Sequence, residues 1–437
     1  MNKPTLSKVA CILFAFCAST AITSPAQILT TLHSFAGPPS DGARPIAGLV
    51  RASDGNFYGT AEGGGYRGNL NCSTGCGTVF KISANGTFTA LHNFFGADGA
   101  NPGFGPLVQA SDGNFYGTTE NGGANKCSPY PPFGCGTVFK ITPSGALTTL
   151  YSFCSQSGCS DGAVPVGGLV QASDGNFYGT TAYGGIYNNG CEGTCGTVFK
   201  ITPSGALTTL YSFCSQDFCA DGATPFAGLV QASDGNFYGT TEAGGANCLG
   251  LYGCGTVFKI TPTGTLTTLY SFCTQSGCTD GAVSSAVLVQ ATDGNFYGTT
   301  VYGGTSGNCG QGCGTVFKMT PAGALTTLHS FSGADGSFLA AGLLQASDGN
   351  FYGTTDSGGS GGNCYGGCGT VFKTTPSGTL TTLHAFNGGD GANPAAALVQ
   401  ATDGNFYGTT SHGGTNNYGT VFRLVTKRAC VVCPSVE

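Results

Sequence analysis

The heptapeptide Asp174-Gly175-Asn176-Phe177-Tyr178-Gly179-Thr180 occurs seven times in this chain of 437 residues. Its copies begin at Asp54, Asp112, Asp174, Asp234, Asp293, Asp348 and Asp403, at intervals of 55 to 62 residues. A second motif, Gly-Thr-Val-Phe, follows each copy and begins at Gly77, Gly136, Gly196, Gly255, Gly314, Gly369 and Gly419. Self-similarity at a nearly fixed period is the signature of a repeat architecture, so the fold can be predicted from the repeat unit.

Each repeat contains four short strand-like runs, which we label A to D. In the third repeat they are residues 168–172, 176–181, 196–202 and 206–213. Ser173-Asp174-Gly175 between A and B, and Pro203-Ser204-Gly205 between C and D, are typical of tight turns. No run has a helical period of apolar residues, and adjacent large residues such as Phe177 and Tyr178 predict sheets that are apolar on both faces. Such sheets pack between neighbours, as the blades of a β-propeller do.

The two ends of the repeat region predict a closed ring. A run of type D, residues 28–35, comes before the first A run, and the last repeat supplies only A, B and C, ending at Arg423-Leu424. The N-terminal run is therefore predicted to complete the last blade, which leaves no sheet edge exposed. A linear solenoid would not need this offset. We predict an all-β fold, a seven-bladed β-propeller with four strands per blade, over residues 27–425.

The N-terminus is typical of an export signal. Lys3 and Lys8 accompany an apolar run over residues 9–18, and Ser24-Pro25-Ala26 matches a cleavage site with small residues. The apolar run is shorter than the ~20 residues that a membrane span needs. We therefore predict a signal peptide over residues 1–26, a C-terminal tail over 426–437, no membrane span in the mature chain, and a secreted or cell-surface location.

Cysteine usage indicates an oxidising compartment. Of the 22 cysteines, Cys11 and Cys17 lie in the predicted leader, and the others form close sequence pairs. An even count in an exported chain predicts disulfides, and no histidine lies beside the pairs at the spacing of a zinc site. The predicted pairs are Cys72/Cys76, Cys127/Cys135, Cys154/Cys159, Cys191/Cys195, Cys214/Cys219, Cys248/Cys254, Cys273/Cys278, Cys309/Cys313, Cys364/Cys368 and Cys430/Cys433. The last pair has thioredoxin-like spacing but lacks the strand–helix context, so it is interpreted as a staple.

Charge and composition narrow the classes of partner. Charged residues make up only 8% of the chain, the net charge is −6, and no basic stretch alternates with aromatic residues, so nucleic acid is not an expected partner. The repeated Asp-Gly pairs are typical of turns and lack the further oxygen ligands of a calcium loop. The basic residue of run C, such as Lys200, is expected to pair with an Asp of its own blade. We predict a monomer without cofactor or metal.

The repeats resemble NHL-type propellers and, more specifically, the GloVer tandem-repeat family of exported bacterial proteins. The residues that carry the resemblance are Gly168-Leu169-Val170, the heptapeptide 174–180, Gly184-Gly185 and Gly196-Thr197-Val198-Phe199, with their counterparts over residues 28–425. The resemblance implies export and often a C-terminal surface anchor, but no established activity. The tail departs from the anchor pattern, because residues 426–437 contain no apolar span.

Most of the variation between repeats lies in the B–C and D–A connections, which a propeller places on one face. The B–C connections begin with a varied residue, and an aromatic residue or histidine follows in three of them. Carboxylates and aromatic rings that converge on one face could bind a sugar by hydrogen bonding and stacking. The candidate binding residues are Glu62, Glu120, Tyr183, Glu242, Tyr302, Asp356 and His412. The alternative interpretation is a solvated start of each loop.

Three functions stay open at this point. We favour a non-enzymatic binding module for an extracellular glycan or a surface protein, which uses loops held by disulfides on one face. The first alternative is a glycan hydrolase or lyase with paired carboxylates in these loops. The second is a structural component of the cell envelope. No catalytic motif such as Gly-x-Ser-x-Gly is present, and the fold itself cannot choose among the three.

Overall fold

A computed structural model describes residues 27–426, apart from residues 40, 66–71, 73, 127–133, 187–194, 247–253 and 363. Within these residues, strands β1 to β28 form seven four-stranded antiparallel sheets, which confirms the seven-bladed propeller. Three 3₁₀ turns lie in connections between blades, at Ser157–Cys159, Asp217–Cys219 and Ser276–Cys278. In this part of the chain no helix has the length and apolar character that crossing a membrane requires. The predicted signal peptide and all but the first residue of the predicted tail lie outside the described residues.

The first six blades follow the chain from the innermost to the outermost strand. Blade 1 contains β2 (Val50–Arg51), β3 (Phe57–Ala61), β4 (Thr78–Ile82) and β5 (Phe88–Asn93). Blade 2 contains β6 (Val108–Gln109), β7 (Phe115–Thr119), β8 (Thr137–Ile141) and β9 (Leu147–Ser152). Blade 3 contains β10 (Val170–Gln171), β11 (Phe177–Thr181), β12 (Thr197–Ile201) and β13 (Leu207–Ser212). Blade 4 contains β14 (Val230–Gln231), β15 (Phe237–Thr241), β16 (Thr256–Ile260) and β17 (Leu266–Ser271).

The remaining blades complete the ring. Blade 5 contains β18 (Val289–Gln290), β19 (Phe296–Thr300), β20 (Thr315–Met319) and β21 (Leu325–Ser330). Blade 6 contains β22 (Leu344–Gln345), β23 (Phe351–Thr355), β24 (Thr370–Thr374) and β25 (Leu380–Ala385). Blade 7 contains β26 (Val399–Gln400), β27 (Phe406–Thr410), β28 (Thr420–Val425) and, as its outermost strand, β1 (Ile28–Ser34). β1 pairs with β28 in antiparallel fashion, with Ile28 opposite Val425, so the predicted closure is confirmed.

The innermost strands are shorter than predicted, because the chain approaches neighbouring backbone near the axis. In blade 3 only Val170–Gln171 is paired, whereas the sequence predicted a strand over 168–172. A Cβ atom placed on Gly105 would lie 2.3 Å from the backbone nitrogen of Gly168, so only glycine fits there. The segment before each innermost strand therefore packs against the next blade, and only two residues pair with the second strand.

Two aromatic contacts hold each pair of neighbouring blades together. The tyrosine of the heptapeptide stacks on the phenylalanine of the next heptapeptide, with ring centroids 4.0–4.2 Å apart in all seven interfaces. A phenylalanine after the outermost strand meets the phenylalanine of the third strand of the next blade edge-on, as Phe213 meets Phe258 at 5.2 Å. Both rings of each stack are buried, and an apolar cluster surrounds them at each interface. The core therefore consists of seven apolar layers between blades.

The polar ends of the stacked tyrosines are satisfied within their own blade. The Tyr178 hydroxyl donates a hydrogen bond of 3.0 Å to Asp174, whose carboxylate also accepts from Lys200 Nζ at 2.9 Å. Burial opposes ionisation of Asp174, but these hydrogen bonds and one from Asn176 hold its pKa below the usual range. The same lysine–aspartate pair is present in six blades, which confirms the pairing expected for run C.

The outer edges of the blades are closed by a second set of aspartates. Asp221 is buried and accepts hydrogen bonds from the Tyr211 hydroxyl at 2.7 Å and the Ser215 backbone N–H at 3.0 Å. Where a histidine replaces the tyrosine, as at His329, its Nε2 lies 2.8 Å from the corresponding Asp335. Asp-Gly turns therefore link the end of each outermost strand to the connection that follows.

The interface stack generates a first prediction, on stability. Replacing Tyr178 by alanine removes a buried ring and should lower the free energy of unfolding by about 3–5 kcal/mol. Replacing it by phenylalanine keeps the stack and loses only the bond to Asp174, so that the loss should be about 1 kcal/mol. Chemical denaturation followed by circular dichroism measures both. Equal losses for the two variants would contradict the stack as the main contribution.

Candidate functional site

At one equivalent position, each D–A connection has a residue other than glycine with a positive φ, between 54° and 59°. These residues, which we call the latch residues, are Arg44, Asn101, Val164, Thr224, Val283, Phe338 and Asn393. This conformation is unfavourable for side chains with a branched Cβ, so surrounding contacts must impose it. The backbone of each latch residue provides two such contacts.

The latch residue joins two blades and fixes the start of the B–C connection. The Asn101 N–H donates to the carbonyl oxygen of Cys76 in the preceding blade at 2.8 Å. The Asn101 carbonyl oxygen accepts a 3.0 Å bond from the N–H of Glu120, the first residue of the next B–C connection. Equivalent bonds recur in every blade. The varied residues are therefore held at one equivalent position around the ring.

A cavity of about 480 Å³ lies on the axis of the propeller, surrounded by the segments before the innermost strands. All seven blades contribute small or apolar residues to its wall, which are Gly48, Pro106, Gly168, Gly228, Val287, Gly342 and Ala397. Glu242, Ser285, Phe104 and Phe226 also line it. We call this cavity, together with Phe104, Phe226 and the carboxylates of Glu62, Glu120 and Glu242, the axial cup.

Phe104 and Phe226 form an aromatic wall of the axial cup that the sequence did not predict. Their rings meet edge-on with centroids 6.3 Å apart, and Phe104 is 46% exposed. Phe104 lies between the latch residue and the innermost strand of its blade, in a segment that is one residue longer than in the other blades, and Phe226 replaces smaller residues such as Val166 and Ala340. The insertion was the available signal, but a single extra residue does not reveal that its side chain reaches the axis.

Glu62 and Glu120 form the acidic side of the cup, beside one arginine. Arg44 Nη2 lies 3.2 Å from Glu62 Oε2. Burial raises the pKa of Glu62, and Arg44 opposes this effect. Burial, followed by the negative charge of Glu62, raises the pKa of Glu120 to about 7, while Arg44 again acts in the opposite direction. Glu120 therefore keeps its proton to a higher pH than an ordinary glutamate does.

Glu242 lies across the cup in blade 4. Its Oε1 accepts a hydrogen bond of 2.5 Å from the Ser285 hydroxyl. Burial raises the pKa of Glu242, and this hydrogen bond opposes the shift. Burial raises the pKa of the Tyr183 hydroxyl, and the negative charges of Glu120 and Glu242 raise it further. Tyr183 is therefore close enough to both carboxylates to interact with them electrostatically. The residues from blades 2, 3 and 4 therefore act on one another.

Asp356 in blade 6 and His412 in blade 7 belong to the same polar group. Burial lowers the pKa of His412, Arg44 lowers it further, and Asp356 opposes both. The Asn393 side chain donates to the Asp356 carbonyl oxygen at 3.0 Å, and Ser411 Oγ lies 2.8 Å from His412 Nδ1.

Six of the seven candidate residues therefore belong to one group of side chains that electrostatic interactions connect. These are Glu62, Glu120, Tyr183, Glu242, Asp356 and His412, with Arg44 added. The seventh candidate, Tyr302, packs edge-on against the latch residue Phe338 with centroids 5.6 Å apart.

Disulfide bonds hold the loops on this face. Bonds join Cys72 to Cys76, Cys154 to Cys159, Cys214 to Cys219, Cys273 to Cys278, Cys309 to Cys313 and Cys364 to Cys368. Cys135, Cys195 and Cys254 are also disulfide-bonded. Five members of the predicted pairs, Cys127, Cys191, Cys248, Cys430 and Cys433, lie outside the described residues. The sulfur of Cys135 lies within 4.8 Å of the sulfurs of Cys154 and Cys159. These sulfurs are disulfide-bonded, so they are not the thiolates that bind metals.

Comparisons with known proteins identify a family and a fold. A family model described as Gloeobacter/Verrucomicrobia repeat matches residues 20–252, 73–310 and 249–432. A search of curated proteins finds no significant match. The extracellular domain of a proposed hybrid two-component system from B. thetaiotaomicron is similar, with a TM-score of 0.51 and 10% identity over 90% of this chain and 39% of that one.

A second solved structure is also similar. A fungal alcohol oxidase of the AA5 family, in complex with copper, gives a TM-score of 0.52 and 13% identity over 91% of this chain and 75% of that one. This chain spans about two fifths of the length of the two-component protein domain. At such identities both likenesses show the propeller fold alone.

The raised pKa of Glu120 generates a second prediction. Its folded pKa is about 7 against an ordinary value of 4.5, so the folded state binds the proton more tightly and stability falls as the pH rises between these values. Replacing Glu120 by glutamine should therefore raise the free energy of unfolding by about 1–3 kcal/mol near pH 8 and by almost nothing near pH 4. Denaturation at the two pH values measures the difference.

The matched control is the exposed Asp217, which changes the net charge equally when it is replaced by asparagine. This variant should show no gain that depends on pH in the same range. A Glu120→Gln variant that is equally stable relative to the parent at both pH values would contradict the burial of an ionisable group in the cup.

Proposed function

The chain belongs to the Gloeobacter/Verrucomicrobia repeat family, and we propose that it is an exported module that binds a small glycan in the axial cup. The propeller supplies the rigid scaffold, and the latch residues position the side chains that meet the ligand. The observation that carries the proposal is an axial cavity that Phe104 and Glu242 line from different blades, with Glu120 acting electrostatically on the same Tyr183 as Glu242.

Disulfides support a role outside the cytoplasm. Disulfide bonds form and persist in oxidising compartments, and six connections contain such a bond with both cysteines among the described residues. The bonded loops all lie on the face that carries the cup. A loop that is held in place before binding loses less conformational entropy when the ligand arrives.

The chemistry of the cup favours a sugar. A pyranose ring has apolar C–H faces, which stack on aromatic rings, and a periphery of hydroxyl groups, which donate to carboxylates. The cup offers Phe104 and Phe226 on one side, and the carboxylates of Glu120 and Glu242 as acceptors. A volume of about 480 Å³ falls within the usual range for pockets that hold small molecules.

A second candidate function is glycan hydrolysis, and one observation favours it. Glycosidases need one protonated carboxyl group and one ionised carboxylate on the two sides of the scissile bond. Burial raises the pKa of both groups, but Arg44 lies beside Glu62, and the negative charge of Glu62 raises the pKa of Glu120 further, to about 7, so the environments of the two groups differ. In this alternative Glu120 would act as the general acid.

The proposal predicts binding that depends on the aromatic wall. The oxidised chain without residues 1–26 should bind at least one oligosaccharide of a broad panel, and Phe104→Ala should weaken that binding by roughly tenfold or more. The control is Tyr365→Ser, because Tyr365 is an exposed aromatic residue of a B–C connection outside the cup. Isothermal titration calorimetry measures both, and equal weakening by the two variants would contradict the assigned site.

Product analysis of the same incubations separates the two candidate functions. Binding without new reducing ends supports the binding module. Cleavage that Glu120→Gln abolishes while binding persists would establish the hydrolase instead. If no glycan of the panel binds, the proposal of a sugar ligand fails.

A further inference from the structure

We propose that the ligand of the axial cup carries a protonated amine, as an unacetylated amino sugar does, and that this amine lies between Glu120 and Glu242. This inference rests on the proposed function, because it specifies the class of glycan that the same site accepts. It follows from the distribution of charge and apolar surface around the cavity.

The charges around the cup are unbalanced. Glu62, Glu120 and Glu242 come from blades 1, 2 and 4, and Asp356 comes from blade 6. Among the described residues that interact with this group, Arg44 is the cation, and it is engaged by Glu62 at 3.2 Å. Glu120 is therefore a largely buried carboxyl group near an arginine already paired with another residue, and Glu242 is a largely buried carboxyl group whose hydrogen bond comes from the Ser285 hydroxyl.

The cavity provides a second and separate reason to expect a ligand here. Carboxylates on a protein surface are common without any partner, but Glu242 lines an apolar cavity of about 480 Å³, and a Cβ placed on Gly103, next to the lining residue Phe104, would lie 3.9 Å from Glu120 Oε2. Glu242 lines that cavity directly, next to Phe226 and the small residues of the axis. A ligand with an apolar body and one positive group would fill the cavity and meet the carboxylates at the same time.

The apolar wall favours an amine over a metal ion. Calcium takes six to eight oxygen ligands, whereas the wall of the cup is built largely from glycine, alanine and aromatic side chains. An ammonium group needs about three acceptors, and it keeps the rest of its molecule in contact with Phe104 and Phe226. The Ser285 hydroxyl, which already bonds to Glu242, holds one carboxylate in place for this contact.

Binding of an amine would also remove the cost of burying these acids. Without a ligand cation, burial and Glu62 favour the protonated form of Glu120. The groups that face Glu120 are Glu62, Arg44 and the Tyr183 hydroxyl, and an added ammonium would oppose the effect of Glu62. Glu120 should then ionise, so that binding at neutral pH releases a proton to the solvent.

The experiment compares two probes that differ in charge at the amine. The probes are the trimer of N-acetylglucosamine, which is neutral, and the fully deacetylated glucosamine trimer, titrated calorimetrically into the oxidised protein near pH 6.5. The deacetylated trimer should bind at least roughly tenfold more tightly, because charge-assisted hydrogen bonds are stronger than neutral ones. The measured heat should depend on the ionisation enthalpy of the buffer in the sense that shows proton release.

The double variant Glu120→Gln/Glu242→Gln tests the assigned residues. It should lose the proton release and the preference for the deacetylated trimer, so that the two trimers bind it with equal affinity. Asp217→Asn, which removes an exposed carboxylate of the same face, should retain the preference. Because both glutamine substitutions relieve buried acids, the variant is expected to fold.

Each outcome has a defined meaning. Equal affinity for the two trimers would contradict the proposal that the ligand carries an amine, and it would leave the proposed glycan site intact. A preference that persists in the double variant places the amine elsewhere and overturns this assignment. Tight binding of calcium alone, abolished by the same double variant, would identify a metal site in place of the amine. If neither trimer binds, both the proposed recognition of an amine and the proposed binding of these glycans in the axial cup are wrong.

Discussion

The stack between a tyrosine of one blade and a phenylalanine of the next recurs at every interface of the ring. Because Tyr178 and Phe237 are adjacent members of the same seven-residue motif in successive blades, one motif supplies both halves of every contact. A linear array would leave one tyrosine and one phenylalanine uncovered at its ends. The ring covers both, since Phe57 stacks on Tyr407 across the closure, and β1 supplies the missing outer strand. Closure of the ring, with the N-terminal strand in the last blade, therefore gives every tyrosine and phenylalanine of these stacks a partner.

The repeated contacts leave few positions free to vary, and those positions become the site. The motif occupies the second strand of each blade, and its Asp-Gly pair forms the tight turn between the two inner strands on the opposite face. The latch residues fix the backbone on both sides of each interface, as the N–H and the carbonyl oxygen of Asn101 do. What remains variable is the first residue of each B–C connection and the side chains before each innermost strand. These are the positions that surround the axis, so differences between blades accumulate there.

Much of this arrangement could be predicted from the sequence, because it depends on repeated residues. The blades, their closure and the lysine–aspartate pairs follow from patterns that occur seven or six times. The candidates Glu120 and Glu242 could be found because they break the pattern at one defined position. Phe104 and Phe226 could not, since their approach depends on how closely Gly105 and Gly168 let two backbones pack. The positive φ of Val164 was equally hidden, because its own side chain disfavours that conformation and only the contacts between blades impose it.

The central claim is that residues of several blades form one binding site on the axis. A crystal structure of the oxidised protein soaked with the glucosamine trimer tests this claim most directly. The account predicts density for the sugar in the axial cup, with a ring against Phe104 and Phe226 and the amine within hydrogen-bond distance of Glu120 and Glu242. Density confined to the outer loops, or a cup in which ordered water alone is found at saturating glycan, would contradict it.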